Sequence, residues 1–309
     1  YMRFVFILGS PFCGSTAVGN MLNSHEHIFH AGEVDRLAIF SRYRNHDAHL
    51  TVNGCSLCSL QTSINNCTVW NNYPTEPLES KEKIVSAYYN LAKNSKKEII
   101  LDSSKNADWL TLLWEGGLDT CSSIILSRNP FSFAYSHFKA TGFPFWQGIE
   151  VWRNIYDHCL RVVLSRGIPL LSLKHSDLLN DADNFFSKIL YFLQLSGSVD
   201  YNHFYQYPCH ALGGNVGSFL KYPNFNFTDY LNKELKENRN STIQELFEKN
   251  LSPASPTQRS DDAWLRHLST DDIASGLSLP GVVDTMTLLG YNPAKIVYEK
   301  IEWDNNNSK

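Results

Sequence analysis

The sequence predicts an α/β fold, a parallel β-sheet covered by helices on both faces. Short apolar runs of strand length alternate with amphipathic stretches of helical period, and glycine turns separate them. Apolar residues make up 43% and charged residues 19% of the 309, which allows a sizeable core and excludes a wholly disordered chain. The formal net charge of −4 gives no general attraction to nucleic acid or an anionic membrane, so neither partner is expected and any anion site must be built locally.

The elements follow in order. Arg3–Leu8 reads as a buried strand, Gly9 to Gly14 as a glycine-bounded turn, and Thr16–Asn23 as a helix with Ala17, Val18, Met21 and Leu22 on one face. From about 42 to 77 the chain turns polar and loses periodicity, which predicts an inserted, cysteine-containing lid. Lys81–Lys93 is a helix, and Lys97–Leu101 a short strand running into Asp102-Ser-Ser-Lys105. A helix over Asp108–Glu115 stops at Gly116-Gly117, and Ser122–Ser127 is another buried strand. After Arg128-Asn-Pro130 comes a helix from about Phe131 to Ala140, then a long amphipathic helix over Phe143–Ser165. Pro169–Leu173 is a fourth strand and Asp183–Leu195 a helix. From about 201 to 303 the chain is loop-rich, then helical from Asp261 to Leu289, with a polar tail from Asp304. We read the whole of 1–309 as one domain.

No apolar run approaches the ~18 residues of a membrane-spanning helix. The stretch Arg3–Leu8 is too short for a secretory leader, so none is expected. Seven scattered cysteines (Cys13, Cys55, Cys58, Cys67, Cys121, Cys159 and Cys209) favour reduced thiols and a cytoplasmic setting. Cys55, Cys58 and Cys67, with His46 and His49 upstream, also have the residue types of a structural zinc site, but only one CxxC is present.

Gly9-x4-Gly14-Ser15-Thr16 has the frame of a phosphate-binding Walker A loop with serine in place of its lysine. At a helix N-terminus, the amides of Phe12, Cys13, Gly14, Ser15, Thr16 and Ala17 would face one anion, and Thr16 adds a hydroxyl. The same pattern also suits an ordinary strand–helix turn. Further on, Arg128 follows a strand, and Ser136 lies eight residues later on the next helix. A strand-end arginine and a serine two turns into a helix can converge on one phosphate, the guanidinium as a bidentate clamp. A structural salt bridge is the alternative for Arg128.

These residues resemble the PAPS-dependent sulfotransferases, which use 3′-phosphoadenosine 5′-phosphosulfate as sulfuryl donor. Pro11-Phe-Cys-Gly-Ser-Thr16 is similar to the family's 5′-phosphosulfate loop, and Leu126-Ser-Arg128-Asn-Pro130 with Ser136 to its 3′-phosphate site. Asn23-Ser-His25, Gly32-Glu33, Asp102-Ser-Ser-Lys105, Lys174 to Leu178, His210 to Asn215 and Asp262-Ala-Trp264 resemble further segments of the tyrosylprotein and bacterial branches, in the same order. The resemblance implies a P-loop NTPase-like sheet of four or five parallel strands and sulfuryl transfer from PAPS, releasing PAP, to a hydroxyl or amine of a small polar acceptor. No metal is implied. The acidic balance would tolerate a cationic acceptor such as a guanidinium alkaloid, a specialised metabolite.

In that frame Glu33, 21 residues after Phe12, is the expected base, with His25, His30 and His137 as fallbacks; an ion pair with Arg36 is its plainer role. The family's loop cation is replaced by Phe12, which leaves Lys105 to supply positive charge at the transferring group, unless it only caps its strand. Gly214, Asn215 and Lys221 are expected to line the nucleotide pocket, unless Gly214-Asn215 is a simple turn. Phe143, Phe145 and Trp146 are candidate walls of an acceptor pocket. Two rival functions remain: a P-loop nucleotide kinase or NTPase, and a non-catalytic nucleotide-binding module with a degenerate loop.

Overall fold

The computed structural model describes residues 2–35, 67–70, 80–214, 218, 222 and 261–307. Its centre is a five-stranded sheet built from β1 (Arg3–Leu8), β2 (Ile28–Gly32), β3 (Ile99–Lys105), β4 (Cys121–Ser127) and β5 (Leu170–Lys174), in the order β2-β3-β1-β4-β5. All four pairings are parallel, so each connection must cross a face of the sheet. The first crossover runs through α1 (Ser15–Leu22), and later ones use α2 (Lys81–Ser95), α3 (Ala107–Glu115), α4 (Pro130–Thr141) and α5 (Phe145–Ser165). Helices α6 (His175–Asn180) and α7 (Ala182–Phe192) follow β5. Four more, α8 (Ala263–His267), α9 (Thr270–Ser278), α10 (Val282–Leu288) and α11 (Pro293–Asn307), complete the described chain.

Burial on both faces explains the continuous apolar runs of the strands. On β1, Phe4, Phe6 and Leu8 join a core that includes Tyr88, Trp109, Trp152 and Tyr156, while Val5 and Ile7 join the opposite core with Val18, Met21, Phe185 and Ile189. Among the described residues no helix is long and apolar enough to cross a membrane.

The α/β class and parallel sheet agree with the sequence expectation, and several boundaries move. Strand β2 is not marked by apolar alternation, because His30 sits in its middle. The ring is buried where Gly19 leaves room for it, since a Cβ there would lie 2.3 Å from His30 Nε2. The long amphipathic helix starts at Phe145 rather than Phe143, because Gly142 closes α4 in the left-handed region (φ +75) and Pro144 caps α5. Asp304–Asn307 is not a loose tail but the last turn of α11, where buried Lys300 bonds Asp304 and the Leu265 carbonyl. Of the expected lid, residues 67–70 are described, and they belong to the core. Cys67 and Trp70 are fully buried, and Trp70 Nε1 donates to the His210 carbonyl at 2.7 Å. Cys55, Cys58, His46 and His49 lie outside the described residues.

Central β1 is flanked by β3 and β4, whose connections leave in opposite directions, so a crevice opens at its carboxyl end. Buried Tyr156 of α5 holds that end. Its hydroxyl donates to the Leu126 carbonyl at 3.0 Å, accepts from the Ser10 amide at 3.2 Å, and lies 3.1 Å from Ser10 Oγ. Burial pushes the phenol's pKa well up, so it stays a neutral donor. Tyr156→Phe is therefore expected to lower stability by about 1–3 kcal/mol, because it strands a buried amide and carbonyl. A denaturant titration against wild type checks this.

Candidate functional site

The loop after β1 presents a helix N-terminus at the crevice. Gly14 caps α1 with a left-handed backbone (φ +89), and a Cβ there would lie 2.7 Å from the His175 ring, so both conformation and space demand glycine. The Val18 amide makes the first helical bond, to the Gly14 carbonyl. The Ser15, Thr16 and Ala17 amides precede it in the first turn, where no intrahelical acceptor exists. Together with the helix dipole they form an anion cradle. The Cys13 thiol is fully buried and its pKa is raised by burial, so this residue contributes backbone, not sulfur chemistry. Gly214 packs on Thr16, since a Cβ there would lie 2.6 Å from Thr16 Cγ2. Asn215 and Lys221 lie outside the described residues.

Arg128 leaves the end of β4 and meets Ser136 as expected, with Nη1 3.1 Å from Ser136 Oγ and 3.3 Å from the Phe12 carbonyl. Trp152 Nε1 fixes the Arg128 backbone through its carbonyl at 2.8 Å. The other side of the guanidinium was not anticipated. Nε and Nη2 both bond Asp261 Oδ1, at 2.8 and 2.6 Å. Asp261 lies 133 residues further along the chain, and no local pattern links it to Arg128. Its carboxylate holds the guanidinium with Nη1 toward the loop.

At the other side of β1, β2 and β3 deliver Glu33 and Lys105. Each strand is irregular here. Between Phe6 and Leu8 of β1, β3 advances from Asp102 to Lys105, one residue more, and Lys105 adopts a left-handed backbone (φ +62). β2 in turn carries an extra residue, Ala31, against β3. Leu212 clamps the end of β2, its amide donating to the Ala31 carbonyl at 2.9 Å and its carbonyl accepting from the Glu33 amide at 2.6 Å. Lys105 Nζ then reaches Glu33 Oε1 at 2.5 Å and the Ser103 carbonyl at 3.2 Å. Glu33 is 6% exposed. The expected base and the expected cation are thus one ion pair, instead of Glu33 standing apart from Lys105.

The fallback histidines have other work. His30 Nδ1 donates to Asn20 Oδ1 at 3.0 Å, an oxygen fixed as acceptor because the Asn20 amide nitrogen donates to the Ser218 carbonyl. Nε2 therefore accepts from Ser103 Oγ at 2.8 Å. Burial, and then the Lys105 charge, hold His30 neutral with a pKa lowered to about 3. His25 Nε2 bonds the Ser196 carbonyl at 2.9 Å, and His137 lies on the outer face of α4 between Phe133 and Phe143.

Asp102, buried under the site, accepts from the Ser104 amide at 2.7 Å and from Tyr88. Burial dominates and raises its pKa to about 6. Among the described residues no group of three His, Cys, Asp or Glu side chains is placed to hold a metal ion.

No family model matches the sequence, and no curated protein matches it. Among solved structures, the sulfotransferase domain of the Synechococcus PCC 7002 olefin synthase superposes with a TM-score of 0.56 at 18% identity, covering 94% of this chain and 97% of that one. The sulfotransferase domain from the curacin biosynthetic pathway gives 0.53 at 18% identity, covering 94% and 99%. The chain has the fold of these domains over nearly its whole length.

The two buried groups set opposite acid responses. His30 binds its proton far more weakly in the fold than the ordinary 6.5, so it costs stability as pH falls from about 6.5 toward 3. Asp102 binds its proton more tightly than the ordinary 3.8, so it adds stability as pH falls from about 6 toward 4, on the order of 3 kcal/mol in all. The two oppose each other between about pH 6 and 4. Asp102→Asn should therefore make stability fall more steeply on acidification over that interval, as denaturation midpoints at pH 6.5, 5 and 4 would show.

Proposed function

We propose that this chain is a sulfotransferase that moves the sulfuryl group of PAPS to a hydroxyl or amino group of a small acceptor and releases PAP. One observation carries the reading: an amide cradle, an arginine–serine clamp and a lysine–carboxylate pair meet at one edge of a sheet whose fold is that of sulfotransferase domains. A bisphosphate-bearing donor needs two anion sites, and the crevice offers two on adjacent strand ends. The cradle of Gly14 to Ala17 suits the 5′-phosphate, and Arg128 with Ser136 suits the 3′-phosphate. The space kept open by Gly14 and Gly214 fits a backbone that must approach a phosphate closely.

The donor supplies a sulfuryl group on a good leaving group. The chain's residues supply the rest. Glu33 takes the proton of the acceptor hydroxyl or amine as the new bond to sulfur forms. The bond from sulfur to the bridging oxygen breaks, its electron pair stays with PAP, and the Lys105 ammonium offsets the charge gathering there. Because Lys105 and Glu33 are paired at 2.5 Å, the arriving anion draws the ammonium away and frees the carboxylate for its acceptor. The pairing thus couples donor binding to activation of the base. Ser15 at the Walker lysine position leaves a triphosphate without its usual cation, which favours this reading over a kinase or NTPase. The buried free thiols Cys13, Cys67, Cys121, Cys159 and Cys209 suit a reducing cytoplasm.

PAP should raise the melting temperature of the wild type, and Arg128→Ala should abolish the shift; an unchanged shift in that variant takes Arg128 out of the phosphate site. Glu33→Gln should keep PAP affinity and lose roughly 10²–10⁴-fold in turnover. Lys105→Ala should slow transfer by roughly 10²-fold or more and weaken PAP binding less. Calorimetry with PAP and a ³⁵S-donor assay against extracts of the source organism read both.

A further inference from the structure

The crevice carries a feature that phosphate binding does not use, and its interpretation rests on the sulfuryl-transfer reading above. Phe12 stands in the loop between the cradle and Arg128, yet its ring is 44% exposed. That ring lies 6.4 Å from Phe133 of α4. Phe133 lies 5.7 Å from His137 one turn on, and His137 stacks on Phe143 at 6.1 Å with 26° between the planes. Phe143 is 51% exposed, and so is Trp146 in the first turn of α5. The rings form a row that begins in the phosphate loop and runs outward along the helix that carries Ser136.

We propose that this row is the acceptor surface and that it selects an acceptor with a ring-bearing, apolar body, presenting its hydroxyl or amine at the Glu33 end. Half-exposed aromatic rings in sequence leave apolar area that only a bound apolar partner removes from water. Stacked and edge contacts with planar rings add to that burial and give it direction. The row is continuous with the phosphate loop at Phe12, so a body lying on it has one end beside the transferring group. Phe12 is central, since a cation at that position would break the apolar surface where it meets the reacting end. His137, neutral or charged, keeps a ring face in the row and bonds Thr141 through its edge.

The test titrates 2-naphthol into the full chain saturated with PAP, following naphthol fluorescence, with agmatine as a cationic competitor. Saturable binding is expected, with agmatine failing to displace it at equal concentration. Phe143→Ala and Phe12→Ala should each weaken 2-naphthol at least fivefold, while Phe143→Leu, which keeps the apolar area, should stay within twofold. The PAP melting shift should be unchanged in both Phe143 variants, which shows that they fold and load donor. No saturation in wild type, unchanged affinity in Phe143→Ala, or tighter binding of agmatine than of 2-naphthol would each overturn the proposal. Absence of the PAP shift in wild type would overturn the donor reading instead, and the naphthol titration without PAP would still decide the aromatic row.

Discussion

The crevice depends on one buried hydroxyl. Tyr156 joins the loop after β1 to the carbonyl of Leu126 on β4, and so fixes how far the phosphate loop stands from the strand that delivers Arg128. Without that bridge the two anion sites would have no set spacing, because they come from separate strands and separate helices. The bond is sheltered from competing water by full burial beside Trp152, whose own indole holds the Arg128 backbone. One helix, α5, therefore sets both sides of the crevice from behind, although none of its side chains named here binds a phosphate.

Charge is handled the same way on each side of β1. Lys105 is paired with Glu33 and Arg128 with Asp261, so neither cation meets the crevice as an isolated charge. Such pairing lowers the cost of holding partly buried cations before a ligand arrives. It also makes ligand binding an exchange of partners. An entering phosphate or sulfuryl oxygen competes with a carboxylate already in place, which favours ligands of higher charge over single anions.

Much of this was legible in the sequence. Continuous apolar runs marked β1 and β4, and the eight-residue interval from Arg128 to Ser136 placed them in contact, as found. Glu33 and Lys105 were singled out, but their pairing was not, because it arises from the extra residues in β2 and β3 that only strand register reveals. β2 itself was hidden by His30, a polar residue made tolerable inside by Gly19, Asn20 and Ser103 from two other elements. Asp261 carried no signal either. Its role depends on the fold returning a residue 133 positions away to the same guanidinium. Local pattern reports periodicity and turn chemistry, and these contacts are tertiary.

Two of the four described non-glycine residues with a left-handed backbone are Phe12 and Lys105. Each stores roughly 1–2 kcal/mol that a glycine would release. Glycine at either position would give a sturdier protein with an emptier crevice. Selection for durability alone would erase both side chains, so their persistence marks the place where this chain trades robustness for chemistry.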